Sequence, residues 1–171
     1  MKILLAVAVI VLAASARLVD HPFNFTPIAA MSIFAGCYLG KKWGIVLPLA
    51  AMLVSDYSIG FYDAPVMISV YLAFALSYFI GRAISGKKWQ YVPAAALLSS
   101  ILFFLITNFA VWAFFDWYPH TLQGLVSNFV LALPFFRNTL AGDMIYTGAF
   151  FGAYEAALYF ARAKQAAKAT A

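Results

Sequence analysis

Charge is scarce in this chain. Of its 171 residues 10% are charged and 65% hydrophobic, and the mean hydropathy is +0.90. A soluble domain covers its surface with far more, roughly a quarter of all residues, so a water-facing fold is excluded. Cysteine is limited to Cys37, which rules out an internal disulfide and any multi-cysteine metal site. Two histidines and one thiol build no conventional metal centre without carboxylates. No His-Glu-x-x-His, no Gly-x-Ser-x-Gly and no phosphate-cradling glycine loop occurs, so neither an enzyme nor a bound cofactor is indicated. The net charge of +5 is not laid out in basic stripes interleaved with polar sequence, so nucleic acid is not a partner. What remains is long apolar runs, and these make the chain an all-α, polytopic membrane protein of one domain, 1–171.

The string Gly-Lys-Lys-Trp occurs twice, at Gly40–Trp43 and Gly86–Trp89, each time between two apolar runs. Paired lysines resist translocation across a bilayer and a neighbouring tryptophan sits at headgroup level, so each string marks a cytoplasmic turn. Runs long enough to cross an apolar core of about 30 Å fall at 3–19, 27–43, 44–61, 65–84, 93–115 and 139–162. Turn chemistry separates them: His21-Pro22, Gly40 with Gly44, Asp63-Ala64-Pro65, and Gly86. With both termini inside, Lys2, Lys41, Lys42, Arg82, Lys87, Lys88, Arg162, Lys164 and Lys168 lie on the cytoplasmic side and only Arg17 and Arg137 outside. That is a strong positive-inside bias. The apolar stretch Leu122–Phe136, broken by Asn128 and Pro134, is too short to span comfortably. It is expected to form an interfacial or re-entrant segment capping the outer face between spans five and six. The N-terminus also admits a second reading, a secretory signal ending at Ala14-Ser15-Ala16.

Polar side chains at membrane depth cost a few kcal/mol unless they face protein or water, so each needs a reason. Asn24, Asp56, Asn108, Trp112, Trp117, Tyr118, His120, Arg137, Asn138 and Asp143 converge on the outer end. Trp112 shares a helix face with Asn108, four residues earlier. Thr139, Asp143, Tyr146, Thr147 and Phe150 form a stripe on span six. Each residue taken alone fits a cap or an interhelical bond, with Asn138 capping span six and Asp143 pairing Arg137. Taken together, many polar groups and several rings at one end describe a pocket for a small solute. Amides and carboxylates would hydrogen-bond it, and Trp112, Trp117 and Tyr118 would stack on it and form a lid. Arg137 suits an acidic solute group, while Asp56 or Asp143 suits a cationic one. Three small-residue stripes offer close helix packing: Ser32, Gly36 and Gly40; Ala73, Ser77, Gly81 and Ser85; Gly148, Gly152 and Ala156. Glu155, near the inner end of span six, reads as snorkelling or pairing with a base.

The architecture resembles the substrate-binding S components of energy-coupling-factor vitamin transporters. Four segments also resemble a group of small bacterial membrane proteins related to them. These are Asn24-Phe25-Thr26-Pro27, Pro48 to Asp56, Thr107-Asn108-Phe109 with Trp112, and Pro134 to Asp143. The resemblance implies location in the bacterial inner (cytoplasmic) membrane and capture of a vitamin-like solute in an outward-facing pocket. It also implies delivery through a membrane partner driven by two ATPases. Many S components dock through alanines spaced by four in the first helix, and Ala6, Ala8, Ala13, Ala14 and Ala16 contain no such pair. A solitary cobalamin-handling branch turns a cysteine toward cobalt, whereas Cys37 falls in the inner half of span two. Two other classes stand beside this one: an accessory subunit docking through its small-residue stripes, and an intramembrane enzyme using Asp56 and Asp143.

Overall fold

A computed structural model of the chain describes residues 2–16 and 24–169. All of its regular structure is helical: α1 Lys2–Ala16, α2 Ile28–Tyr38, α3 Lys41–Ile59, α4 Ala64–Ile84, α5 Tyr91–Phe114 and α6 Leu122–Ala169. Arg17, Asp20 and the His21-Pro22 break lie outside the described residues. Helices α4 and α5 are each long and apolar enough to cross a membrane, with mean hydropathies of 1.8 and 2.1 over their best windows. Large apolar side chains cover the outside of the bundle, among them Val54, Ile68, Leu72, Phe79, Leu105 and Ile145. A surface of this kind marks contact with a membrane or with other protein.

The shortest helix between turns sits at the centre. Every residue of α2 from Ile28 to Gly36 is buried, as expected for a helix apolar on all sides. Two glycines allow its closest contact. A Cβ on Gly36 would collide with the backbone of Tyr78, and one on Gly81 with the backbone of Ile33. Two of the small-residue stripes therefore interlock, bringing the α2 and α4 backbones together. Ser85 Oγ donates to the Cys37 carbonyl at 2.8 Å and Cys37 Sγ to the Gly81 carbonyl at 3.1 Å. On the other side of α2, Phe34 meets Phe151 and Tyr154 edge-on, at 5.4 and 5.3 Å between ring centroids. These contacts fix the level of α2. Short turns make α2 and α4 parallel, and Ile28 lies near Phe74, so α2 begins about three turns below the start of α4.

The same contacts carry both Gly-Lys-Lys-Trp strings to one end of the bundle, since Gly40 comes three residues after Cys37 and Gly86 directly after Ser85, the two residues bonded to each other. We call this the lysine end.

Two expectations are corrected. The stretch 122–136 is no separate capping segment; it forms the first turns of one continuous 48-residue helix. Pro134 deletes a single backbone hydrogen bond without ending the helix, because α6 has partners on α5 on both sides of it. Asn128 Nδ2 donates to the Asn108 carbonyl at 2.7 Å, Phe129 and Phe136 pack on Phe104, and Asp143 reaches Ser100. Antiparallel pairing with α5 thus runs unbroken past the proline. The third stripe also behaves differently from the other two. Among the described residues, a Cβ on Gly148 or Gly152 meets nothing within 4 Å, so no neighbouring backbone approaches this stripe as Tyr78 and Ile33 approach the other two.

Candidate functional site

Because α2 stops short, α3 to α6 enclose unfilled space above its first turn. A cavity of about 250 Å³ occupies it, with Ile28 and Ala29 as floor and Asn24, Tyr62, Phe74 and Asp143 among its walls. A second cavity of about 210 Å³ adjoins it and shares Asn24, Val66, Val70, Phe103 and Thr139 with it. This second chamber is aromatic: Phe104, Phe135 and Phe136 line it, with Asn108 and Thr107 as polar points. Phe74 and Phe103 stack at 5.3 Å and 25°, forming a flat wall where the two chambers meet.

The floor is polar despite its apolar side chains. The first N–H groups of any α-helix have no partner within it, and they carry the positive end of its dipole. No side chain caps α2, whose N-cap position is Pro27. Asp143 opposes this floor from α6. It is 2% exposed, and Ser100 Oγ donates to its Oδ2 at 2.6 Å. A carboxylate accepts about four hydrogen bonds, and Ser100 supplies one of them. Asn24 completes the rim with φ of 61°, the one non-glycine in the left-handed region among the described residues. Asparagine tolerates that conformation better than most residues, and strained backbone of this kind gathers at ligand sites. The strand of chain behind it is pressed onto α6: a Cβ on Gly142 would lie 3.2 Å from the Phe25 Cα, and Phe25 packs on Tyr146.

Of the ten residues singled out from the sequence, Asn24, Asn108 and Asp143 lie on the cavity walls. Asp56 is buried behind them, where the Tyr71 hydroxyl donates to its Oδ2 at 2.8 Å, one turn along α3 from the wall residue Met52. The two aspartates are thus held by different helices, Asp56 by α4 and Asp143 by α5. Trp112 turns away to brace the α5–α6 connection, donating from Nε1 to the Pro119 carbonyl at 3.0 Å and meeting His120 edge-on. Trp117 is 71% exposed against Phe115, and Tyr118 is half-buried. None of these rings lines either chamber; phenylalanines of α4, α5 and α6 do.

Arg137 is exposed, about 160° around α6 from the wall residue Thr139. It does not pair Asp143, whose partner is Ser100. Asn138 is half-buried in mid-helix and does not cap α6, which begins sixteen residues earlier. Glu155 receives a hydrogen bond from the Tyr38 hydroxyl at 2.9 Å, not from a base. The wall residues Tyr62, Phe74 and Phe103 carry no mark in the sequence. Aromatics are common in this chain, and only the height of α2 tells which of them border empty space.

A model of one protein family matches residues 1–167. The chain belongs to DUF6580, a family of unknown function. No curated protein and no solved structure matches it. For this DUF6580 chain, function therefore has to come from the chamber. It offers backbone N–H donors and a carboxylate at one end, amides at the rim, and flat apolar rings at the other. Among the described residues, no three of His, Cys, Asp and Glu come together as metal ligands.

Proposed function

We propose that the protein captures a small solute in the double chamber and is a membrane-embedded binding or transport protein resembling an S component. The observation that supports this most is the helix that stops early: α2 leaves its uncapped N-terminus facing a chamber walled by Asp143. Broken or short helices whose first N–H groups face a cavity at membrane depth are a recurring way to bind solutes. A solute with a polar, hydrogen-bonding head and a flat ring fits both chambers, the head at Asp143, Asn24 and the α2 floor and the ring among the phenylalanines. A vitamin has this chemistry. In this reading all six helices lie in the bacterial inner membrane, with the lysine end in the cytoplasm and the chamber facing outward. An ATPase-driven membrane partner would supply the energy for delivery. The test is native mass spectrometry of the protein purified in mild detergent. A co-purifying small molecule that is lost from Asp143→Asn supports capture; an empty wild type under the same conditions sinks it.

One observation favours a second reading, an accessory subunit of a larger membrane complex. The Gly148 and Gly152 face is open, and in the hollow beside Gly148 the buried Thr147 hydroxyl has no hydrogen-bond partner. Gly148→Val combined with Gly152→Val should then release a co-purifying membrane protein while the chain itself stays folded. Purification of the wild type as a monomer in mild detergent argues against it.

A further inference from the structure

A third cavity, of about 230 Å³, lies at the lysine end, separated from the solute chamber by the buried length of α2. Tyr38, Lys87, Trp89, Phe151 and Glu155 are among its lining residues. Its two formal charges come from different elements, Lys87 from the α4–α5 turn and Glu155 from α6. Glu155 stands out because its surroundings are cationic: Lys41, Lys42, Arg82, Lys87, Lys88, Arg162 and Lys164 are the charged residues of the neighbouring segments. Its hydrogen bond nevertheless comes from the neutral Tyr38 hydroxyl. That bond fixes the carboxylate beside the cavity and keeps most of its acceptor capacity for something else. Tyr38 is itself held by the ring cluster, 4.1 Å from Tyr154. Phe151 and Val92 give the remaining wall an apolar surface.

We infer that this cavity binds a headgroup carrying both a phosphate and a primary ammonium, that of phosphatidylethanolamine in the cytoplasmic leaflet. The inference rests on the membrane reading above, and Trp89 supplies its depth, since a tryptophan beside paired lysines sits at the headgroup level. Lys87 meets the phosphate as a point charge. Glu155 accepts from the ammonium in a charge-assisted hydrogen bond, the stronger kind. The chemistry is selective in both directions. A headgroup with phosphate and no amine, such as that of phosphatidylglycerol, leaves Glu155 without its counter-charge. The choline of phosphatidylcholine has no N–H to donate.

The experiment measures thermal unfolding of delipidated, detergent-purified full-length chain against increasing short-chain phosphatidylethanolamine, phosphatidylcholine and phosphatidylglycerol. Half-saturation should come at the lowest concentration with phosphatidylethanolamine. Glu155→Gln should weaken that response about tenfold or more and erase the preference over phosphatidylcholine, as loss of a charged hydrogen bond requires. Lys87→Gln lies in an exposed turn and cannot be blamed on misfolding; it should weaken the response to every phosphate lipid. Tyr38→Phe keeps the ring packing and removes only the hydroxyl that orients Glu155, so a partial loss of preference is expected. Equal half-saturation by the three lipids overturns the assignment, as does a preference that survives in Glu155→Gln. Glycerophosphoethanolamine acting at the same concentration as the lipid would overturn the membrane as source. This preference is measured without the solute. Its absence in a protein that still retains a molecule in the other chamber counts against this site alone, and its presence in an empty protein counts only against solute capture.

Discussion

The two ends of this bundle are built from the same helices and differ in one respect: α2 is present at the lysine end and absent at the other. Where it is present, Gly36 and Gly81 bring backbones into contact, and Phe34, Tyr38, Phe151 and Tyr154 interlock as rings. Where it is absent, α3 to α6 continue as walls around a chamber that no helix fills. In the membrane reading proposed above, lipid tails are as apolar as leucine, so the helices associate through close packing and hydrogen bonds and not through escape from water. One end therefore supplies the cohesion, and the other can be left open. Stability and solute binding should accordingly respond to different substitutions.

The largest effect should come from the cohesive end. Gly81→Val drives side-chain atoms into the Ile33 backbone, costing about 3 kcal/mol, and should lower the thermal midpoint in detergent sharply or abolish the monodisperse species. An unchanged midpoint would break the comparison outright. Next comes the chamber. Asp143→Asn keeps the shape and a bond to Ser100 but removes the charge, so solute affinity should fall by about 1.5–3 kcal/mol, roughly tenfold to a hundredfold. Its melting temperature should stay close to wild type, and the two assays together show whether the ends are separable. Asn108→Ala should have a smaller effect. Its Nδ2 already donates to the Phe104 carbonyl at 2.8 Å, leaving a neutral contact of about 1 kcal/mol, roughly fivefold in affinity. His120→Ala should be the mildest, within about 0.5 kcal/mol in either assay, since this exposed ring touches Trp112 and no chamber wall. Isothermal titration with the co-purified molecule would rank the last three.

Much of this architecture could be read from the residues, and the reasons are specific. Lysine pairs and small-residue spacing report local facts: Gly36 and Gly81 were marked as packing positions because nothing larger lets backbones meet. The chamber was harder. Asn108 and Asp143 announced themselves because an amide or acid in an apolar run needs an explanation, and Asn24 because it stands at the same outer end. A phenylalanine in an apolar run needs none, so Phe74, Phe103 and Phe136 carried no signal. Trp112 and Trp117 stand at the outer end beside the amides, yet a place along the chain does not say which way a ring points. The break expected near Pro134 failed for a related reason. Proline weakens a helix locally, but partners on α5 on both sides of it, Asn108 and Ser100, hold α6 straight through.

The height of α2 has one more consequence. Because the hollow exists where a helix has not yet begun, its depth is set by the residue at which that helix starts. Each extra turn added ahead of Ile28 would raise the floor by about 5.4 Å, and each turn removed would lower it, while α3 to α6 stayed as they are. A change of guest size in such a molecule needs no remodelling of the enclosure, only a different length of one inner segment.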